Sequence, residues 1–381
     1  MDFAFDQTQL AFKEAIIKFA KNELNEGMEA LDKESGFNWE GWKKCAKQNI
    51  FGLPVPEKYG GIDADIFTTI LTMEGLGYGC EDNGLIFAIN SQMWSCEIPI
   101  LEFGTEAQKQ KYLPKLCNGE LVGGHAMTEP EAGSDAFSIR TTAVKRNGKY
   151  ILNGEKTFIT NAPIADLLIV FALTDKNRGF AGISAFIVDK DTPGLSLSKD
   201  MSKMGLRTCP LGYIVFEDCE VPEENLLGRE GAGAAIFNSE MEWERSCLFA
   251  CHVGVMERLM EKSIDYAKQR HQFGKPIGKF QSVSHKIADM KVKIELSKLM
   301  LYKIGWLKMQ GKKGTVEAAI AKLFISEAFV KTAMDSLQIF GANGYMTEYP
   351  LERMLRDSIA STIYSGSSEI QKNIIAGWSG L

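Results

Sequence analysis

The first third of the chain alternates apolar and polar positions with a helical period. Phe12, Ile16, Phe19 and Ala20 fall at i, i+4, i+7 and i+8, with Lys13, Glu14 and Lys18 between them, which predicts an amphipathic helix. Gly52-Leu53-Pro54-Val55-Pro56 and Tyr59-Gly60-Gly61 interrupt the pattern as loop. The stretch 66–100 is mostly apolar and predicts buried helices, although Gly75, Gly77 and Gly79 blur their ends. Near Gly119 the pattern shortens. Tyr150-Ile151-Leu152 and the runs 167–173, 183–188 and 213–216 read as strands. Asn147-Gly148, Asn153-Gly154 and Thr192-Pro193-Gly194 supply turn signals between them. Past Gly233 the helical period returns, with one stripe through Ile287, Met290, Ile294, Leu301 and Ile304 and another over 316–340. Breaks fall at Gly274-Lys275-Pro276 and within 311–314 and 341–344. The expected organisation is a helical domain over 1–120, a small β-barrel or sandwich over 121–230 and a helical bundle over 231–381: mainly α, with a central β-barrel domain.

Composition narrows the function classes. Of 381 residues, 45% are hydrophobic and 24% charged, ordinary for a globular protein. The formal net charge of −6 argues against nucleic acid as the partner, because phosphate neutralisation needs concentrated Lys and Arg. Lys286, Lys291, Lys293 and Lys298 alternate with apolar residues and read as a solvated helix face. The start, Met1-Asp2-Phe3-Ala4-Phe5-Asp6, lacks the basic flank and long apolar run of a signal peptide. The longest apolar run, over 165–173, is far short of a membrane span. A cytoplasmic protein with no membrane partner is therefore expected. Eight cysteines without a C-x-x-C and only four histidines predict free thiols and no metal site. No Walker, Rossmann, H-E-x-x-H or G-x-S-x-G pattern occurs, so a redox cofactor would have to be held some other way.

Five segments carry a resemblance. Met127-Thr128-Glu129-Pro130-Glu131-Ala132-Gly133-Ser134-Asp135 resembles the T-E-P-x-A-G-S-D signature of acyl-CoA dehydrogenases, and Lys156-Thr157-Phe158-Ile159-Thr160-Asn161 their second flavin signature. Arg270-His271-Gln272-Phe273-Gly274 with Ile277-Gly278 and Gln281, then Gln338-Ile339-Phe340-Gly341-Ala342-Asn343-Gly344-Tyr345, then Ile363-Tyr364-Ser365-Gly366-Ser367-Ser368-Glu369-Ile370-Gln371, follow in the family's order across the whole chain. The resemblance implies the acyl-CoA dehydrogenase fold and FAD. It also implies FAD contacts from His125, Met127, Thr128, Gly133, Ser134, Phe158, Ile159, Thr160, Gln281, Ser367 and Glu369. Gln272 and Phe273 are likewise implied FAD contacts, and Arg270 and the run 338–341, with Gln338, Ile339 and Gly341, match positions that serve the cofactor of a neighbouring subunit, which implies a homo-oligomer, usually a tetramer. Thr128 and Thr160 have the hydroxyls such a flavin edge can use, and Gly133-Ser134 leaves room for an anionic group.

Dehydrogenation of a thioester needs a base for the α-hydrogen and donors for enolate-like charge. Many members carry the base as Tyr-Glu-Gly in the last motif. Here those positions are Tyr364-Ser365-Gly366, and a serine hydroxyl cannot do a carboxylate's work. The second family location, used by isovaleryl-CoA and long-chain members, is a bundle helix directly before an arginine. The run Glu240-Met241-Glu242-Trp243-Glu244-Arg245 puts Glu244 there. Glu240 shares its face, whereas Glu242 points about 160° away, so Glu240 is the close rival. Arg245, Tyr364 and Ser365 are expected to bind substrate, Ser365 through its backbone N–H to the thioester oxygen.

A finer resemblance concerns the substrate. Trp243-Glu244-Arg245-Ser246-Cys247-Leu248-Phe249-Ala250, Asn161-Ala162-Pro163-Ile164-Ala165-Asp166, Arg207-Thr208-Cys209-Pro210, Gly79-Cys80-Glu81-Asp82-Asn83-Gly84-Leu85 and Leu355-Arg356-Asp357-Ser358-Ile359 are similar to L-prolyl–carrier-protein dehydrogenases and oxidases. That implies oxidation of proline held as a phosphopantetheine thioester on an acyl or peptidyl carrier protein, to a pyrroline or pyrrole in natural-product biosynthesis. A short or branched-chain acyl-CoA dehydrogenase is the alternative. The ring nitrogen would have to be uncharged, for which a buried acid and polar neighbours are useful. Asn90, Ser91 and Gln92 are candidates to line the acyl pocket.

Overall fold

The computed structural model describes residues 5–381; Met1–Ala4, on which part of the reading of the N-terminus rests, lie outside the described residues. The chain opens with α1 (Gln7–Glu23), capped by Asp6 and Gln9 in a reciprocal capping box. Next come α2 (Met28–Glu34), α3 (Trp39–Lys47), α4 (Ile66–Gly79) and α5 (Asn83–Gln92). A turn of π-helix at Met93–Glu97 leads into α6 (Ile98–Phe103), followed by α7 (Glu106–Cys117). Ile16 and Ala20 of α1 are buried, as their spacing predicts.

The glycines that blurred the helix ends in sequence lie inside α4 and explain its packing. A Cβ on Gly77 would stand 1.9 Å from the carbonyl oxygen of Cys251, and one on Gly254 2.0 Å from that of Glu74. Two backbones therefore touch directly, which only glycine permits. Arg258 then donates to the carbonyls of Gly77 and Tyr78 at 2.9 and 3.0 Å and closes the C-terminal end of α4.

The β unit contains β1 (Gly123–Ala126), β2 (Thr142–Arg146), β3 (Lys149–Thr160), β4 (Leu167–Leu173), β5 (Ile183–Asp189), β6 (Leu195–Leu197), β7 (Leu211–Pro222) and β8 (Leu226–Leu227). They form one eight-stranded sheet in the order β6-β7-β3-β2-β4-β5-β8, with β1 parallel to β4. Leu167, Ile169 and Phe171 of β4 join a core shared with α7, whereas Leu168, Val170 and Ala172 join a second core on the other face. Burial on both faces is why this strand is a continuous apolar run. Asn147-Gly148 makes the β2–β3 turn, both residues at positive φ. Asn153-Gly154 is no hairpin turn: β3 runs straight through it with a bulge, and Thr141 packs where a Gly154 side chain would be.

The remainder is helical, apart from a two-strand ribbon, β9 (His271–Gln272) with β10 (Lys275–Pro276). It contains α8 (Gly233–Gln269), α9 (Gln281–Met309), α10 (Thr315–Phe340), α11 (Ala342–Tyr345), α12 (Leu351–Ala360) and α13 (Ser368–Trp378). One hydrophobic core runs from α1, α3, α4 and α5 into α8, α9, α10 and α12, so the helices before and after the sheet close over each other. The lysine face needs correction. Lys298 is not solvated: it reaches the fully buried Glu74 at 3.2 Å, and Glu257 beside it. Lys286 pairs with Asp335 at 2.9 Å. Apolar neighbours brought acids under these stems, which a sequence stripe does not show.

Candidate active site

A cavity of about 490 Å³ opens where the sheet meets both helical regions. The segment after β1 supplies Met127 and Thr128, the end of β3 supplies Phe158 and Thr160, and α8 supplies Glu244. Two buried contacts lock the first two walls together. Lys156, fully buried, donates to the Met127 carbonyl and to Glu129 Oε1, both at 2.9 Å. The Thr157 N–H donates to the Thr128 carbonyl at 2.9 Å. Burial holds the Lys156 ammonium down to about 8 against the pull of Glu129. Burial also raises the Glu129 carboxyl, but Lys156 and the N–H groups of Thr141 and Arg140 outweigh it and leave it below the usual range. Asn161 ties the end of β3 to the helices, donating to the carbonyls of Ala88 and Gly123, both at 3.1 Å.

On α8, Glu240 and Glu244 lie one turn apart and both are buried. Only Glu244 lines the cavity. Its Oε2 accepts from the Ser95 hydroxyl at 2.8 Å, and its Oε1 accepts from the Ser365 hydroxyl. Glu242 turns outward to Thr315 and Lys308. Ser365 is itself clamped, its carbonyl accepting from Arg245 Nε at 3.0 Å and Gln371 Nε2 at 3.1 Å. Its φ of 55° is a left-handed conformation, a strained geometry for a non-glycine residue. Beside it, Tyr364 Oη stands 2.5 Å from His252 Nε2. Burial holds His252 neutral, down to about 3.

Glu240 takes a different partner. Its Oε1 lies 2.6 Å from Nε2 of His125, a cavity-lining residue. Burial, then the nearby Glu244, pushes the Glu240 carboxyl well above its usual range, and burial lowers His125 to about 4. The pair is close but poorly aligned, for neither partner's facing atom makes a directed hydrogen bond. The neutral forms of both follow from the burial.

The expected site residues divide into two groups. His125, Met127, Thr128, Gly133, Ser134, Phe158, Ile159, Thr160, Glu244, Arg245, Tyr364, Ser365 and Ser367 all line this one cavity. Arg270, Gln272, Phe273 and Gln281 are exposed on the ribbon and the start of α9, and Gln338 and Gly341 are exposed at the end of α10. None of these lines the cavity. Ile339 turns its side chain into a small core with Ala267 and Met290, so a contact from it to a ligand would have to run through its backbone. Glu369 is exposed on the first turn of α13. Of the three pocket candidates on α5, only Ser91 lines the cavity. Asn90 is committed to Trp94 Nε1 at 2.6 Å, and Gln92 to the Gly123 N–H at 2.8 Å. Their corner of the helix packs inward, so burial outweighs polarity there. Ser95 was missed, although its place four residues after Ser91 was the available signal.

The cavity suits a flat polycyclic ligand with a polar edge. Phe158 is 61% exposed at a φ of 56°, an aromatic face presented rather than buried. No hydrogen bond within the protein engages the hydroxyls of Thr128, Ser134 or Thr160 among the described residues. A second cavity of about 340 Å³ shares Phe87, Phe158, Thr160, Ile363 and Tyr364 with the first and extends the space.

Fold and site together define a member of the acyl-CoA dehydrogenase family, and the chain belongs to it. Its N-terminal, middle and C-terminal domain models match residues 6–120, 124–219 and 231–379. Within that family the chain is similar to the L-prolyl-[peptidyl-carrier protein] dehydrogenase of Pseudomonas fluorescens, with 42% identity over 99% of each chain. The crystal structure of the prolyl acyl carrier protein oxidase AnaB matches at 50% identity, covering 99% of this chain and 100% of that one, with a TM-score of 0.98. PigA, solved with FAD and proline, matches at 42% identity over the whole of both chains, also with a TM-score of 0.98. Eight free, buried cysteines, and no cluster of metal-ligating side chains among the described residues, complete the chemistry. Among those residues no helix is long and apolar enough to cross a membrane.

Proposed function

We propose that this chain oxidises an L-prolyl group held as a thioester on a peptidyl or acyl carrier protein, with FAD as the electron acceptor and Glu244 as the base. The carrying observation is the Glu244 carboxylate at the inner end of the cavity, each oxygen held by one serine hydroxyl. Two fixed donors aim the carboxylate and leave its remaining lone pairs for an α-hydrogen. No protein acceptor takes the Ser365 N–H among the described residues, which suits it to the thioester oxygen, where enolate-like charge develops. Arg245 and Gln371 hold the Ser365 carbonyl and so fix the direction of that N–H. FAD, when bound, supplies a hydride acceptor; Thr128, Ser134, Thr160 and the face of Phe158 are the groups that would hold it. The substrate and cofactor in this reading follow those named for the similar dehydrogenase, AnaB and PigA.

Arg270, Gln272, Phe273 and the Gln338–Gly341 corner would serve the cofactor of a neighbouring subunit, in a homotetramer. Their exposure, away from this chain's own cavity, is what supports that role.

The test is Glu244→Gln, which keeps volume and hydrogen bonding but removes the base. Bleaching of the flavin by prolyl-carrier protein should fall by about 10²–10⁴-fold while the purified protein stays yellow. Full activity in that variant would remove the assignment. Rapid bleaching by butyryl- or isovaleryl-CoA, with none by prolyl-carrier protein, would replace the substrate.

A further inference from the structure

The prolyl reading places a nitrogen directly on the α-carbon. Once the α-hydrogen faces Glu244, the partner of that nitrogen must line the same inner end of the cavity. Most polar groups there are committed. The hydroxyls of Ser95 and Ser365 donate to Glu244. Arg245 Nε donates to the Ser365 carbonyl, and its positive charge would repel an ammonium. His125 is different. It lines the cavity with a side chain 15% exposed, and its Nε2 is turned to Glu240 at 2.6 Å. No hydrogen bond within the protein engages its Nδ1 among the described residues.

We infer that His125, backed by Glu240, is the recognition site for the substrate's ring nitrogen, and so the residue that separates an aminoacyl thioester from a plain acyl one. The inference rests on the proposed function above. Packing fixes the imidazole: its ring lies 5.2 Å from Phe171, edge to face, and 6.0 Å from Phe237, stacked. Glu240 is fully buried behind it, and among the described residues no donor makes a hydrogen bond to either of its carboxyl oxygens. The remaining titratable groups that act on the pair are Glu244, Cys96 and Lys156. The buried atoms without a directed partner, His125 Nε2 and Glu240 Oε1, face each other, so the ring nitrogen left for a ligand is Nδ1. With its proton on Nε2, toward the Glu240 oxygen, a neutral imidazole leaves Nδ1 unprotonated and able to accept an amine N–H. A thioester lacking that N–H would leave the nitrogen desolvated and unpaired, the situation in which polar sites discriminate most strongly. Glu240 acts through His125, as a positioning residue.

The test compares prolyl-carrier protein with cyclopentanecarbonyl-carrier protein, a ring of the same size without nitrogen. It uses FAD-loaded wild type, His125→Phe, His125→Gln and Ser91→Ala. Flavin bleaching gives kcat/KM, and exchange of the α-hydrogen in D2O, read by mass spectrometry, reports slow thioesters. His125→Phe, which preserves the ring packing, should lower prolyl kcat/KM by about 10- to 100-fold more than it lowers that of the cyclopentane analogue. His125→Gln should recover part of the loss. Equal losses on both thioesters, or loss of the flavin absorbance, would overturn the inference and make His125 scaffold or cofactor contact. Loss of discrimination in Ser91→Ala, with His125→Phe unaffected, would give the nitrogen to Ser91 instead. A wild type that bleaches with acyl-CoA but never with prolyl-carrier protein would sink the proposed function itself, a result read before any variant is made.

Discussion

The inner end of the cavity and the corner formed by β9, the start of α9 and the end of α10 both carry family signatures, yet they are built in opposite ways. Around Glu244 the side chains are tied together within the chain: Ser95, Ser365, Arg245 and Gln371 form one continuous set of hydrogen bonds. At the corner, Arg270, Gln272, Gln338 and Gly341 are exposed, and Phe273 is 92% exposed. A large aromatic left in solvent asks for something to cover it. The first region is organised by contacts within the chain; the second presents its signature side chains to solvent. Under the proposed function, the region of internal hydrogen bonds would hold the chemistry and the exposed signature residues an assembly contact.

That contrast can be attacked from several sides. The strongest attack is on Lys156, which joins the two walls. Lys156→Met would leave the Glu129 carboxylate buried without its cation, and we expect a loss of about 3–5 kcal/mol in unfolding free energy together with loss of bound flavin. Urea denaturation and the absorbance spectrum read both. A stable yellow variant would mean that the pair is dispensable. Ser95→Ala removes one of the two donors to Glu244 and should slow turnover by about 10- to 100-fold, with no change in oligomeric state. Arg270→Ala should do the reverse. It should weaken retention of FAD or the subunit assembly by roughly tenfold and leave the unfolding of the isolated chain nearly unchanged. Gel filtration and flavin content on dilution would show this, and a purely catalytic defect would erase the distinction between the regions.

The smallest effect is on pH. His125 and His252 have folded values of about 4 and about 3, below the ordinary 6.5. The unfolded chain therefore takes up protons first. Their contribution to stability is present above about pH 6.5 and is lost as the pH falls toward 4. His252→Phe should flatten the fall of the unfolding midpoint across that window, at the cost of leaving the Tyr364 hydroxyl unpaired. An unchanged slope would show that other groups control the acid limb.

Much of this was legible without coordinates. The helix–sheet–helix order follows from period and turn residues. The location of Glu244 follows from the absence of an acid in Tyr364-Ser365-Gly366 and from the arginine after it. Other features were misread for definite reasons. Asn153-Gly154 looks like a hairpin turn because its composition is the same whether the chain reverses or bulges. Lys298 looks solvated because the acids it meets, Glu74 and Glu257, lie on α4 and α8. Ser365 was judged by what it lacks, a carboxylate, and by its backbone N–H, and not by its hydroxyl, which donates to Glu244.

By itself the sequence determined the elements, the family signatures and the residue types available for chemistry, because these depend on local period, turn preference and the kind of side chain at each position. Only the tertiary structure showed what surrounds the two acids on that helical face: Glu244 meets the cavity between two serine hydroxyls, and Glu240 is buried against a histidine. Glu240 and Glu244 differ by a single helical turn, so what surrounds them is set by the packing of β1, the π-turn and the segment between α12 and α13. A difference in surroundings over one turn, created by residues far away in the chain, sets a cavity-lining acid apart from one buried against a histidine.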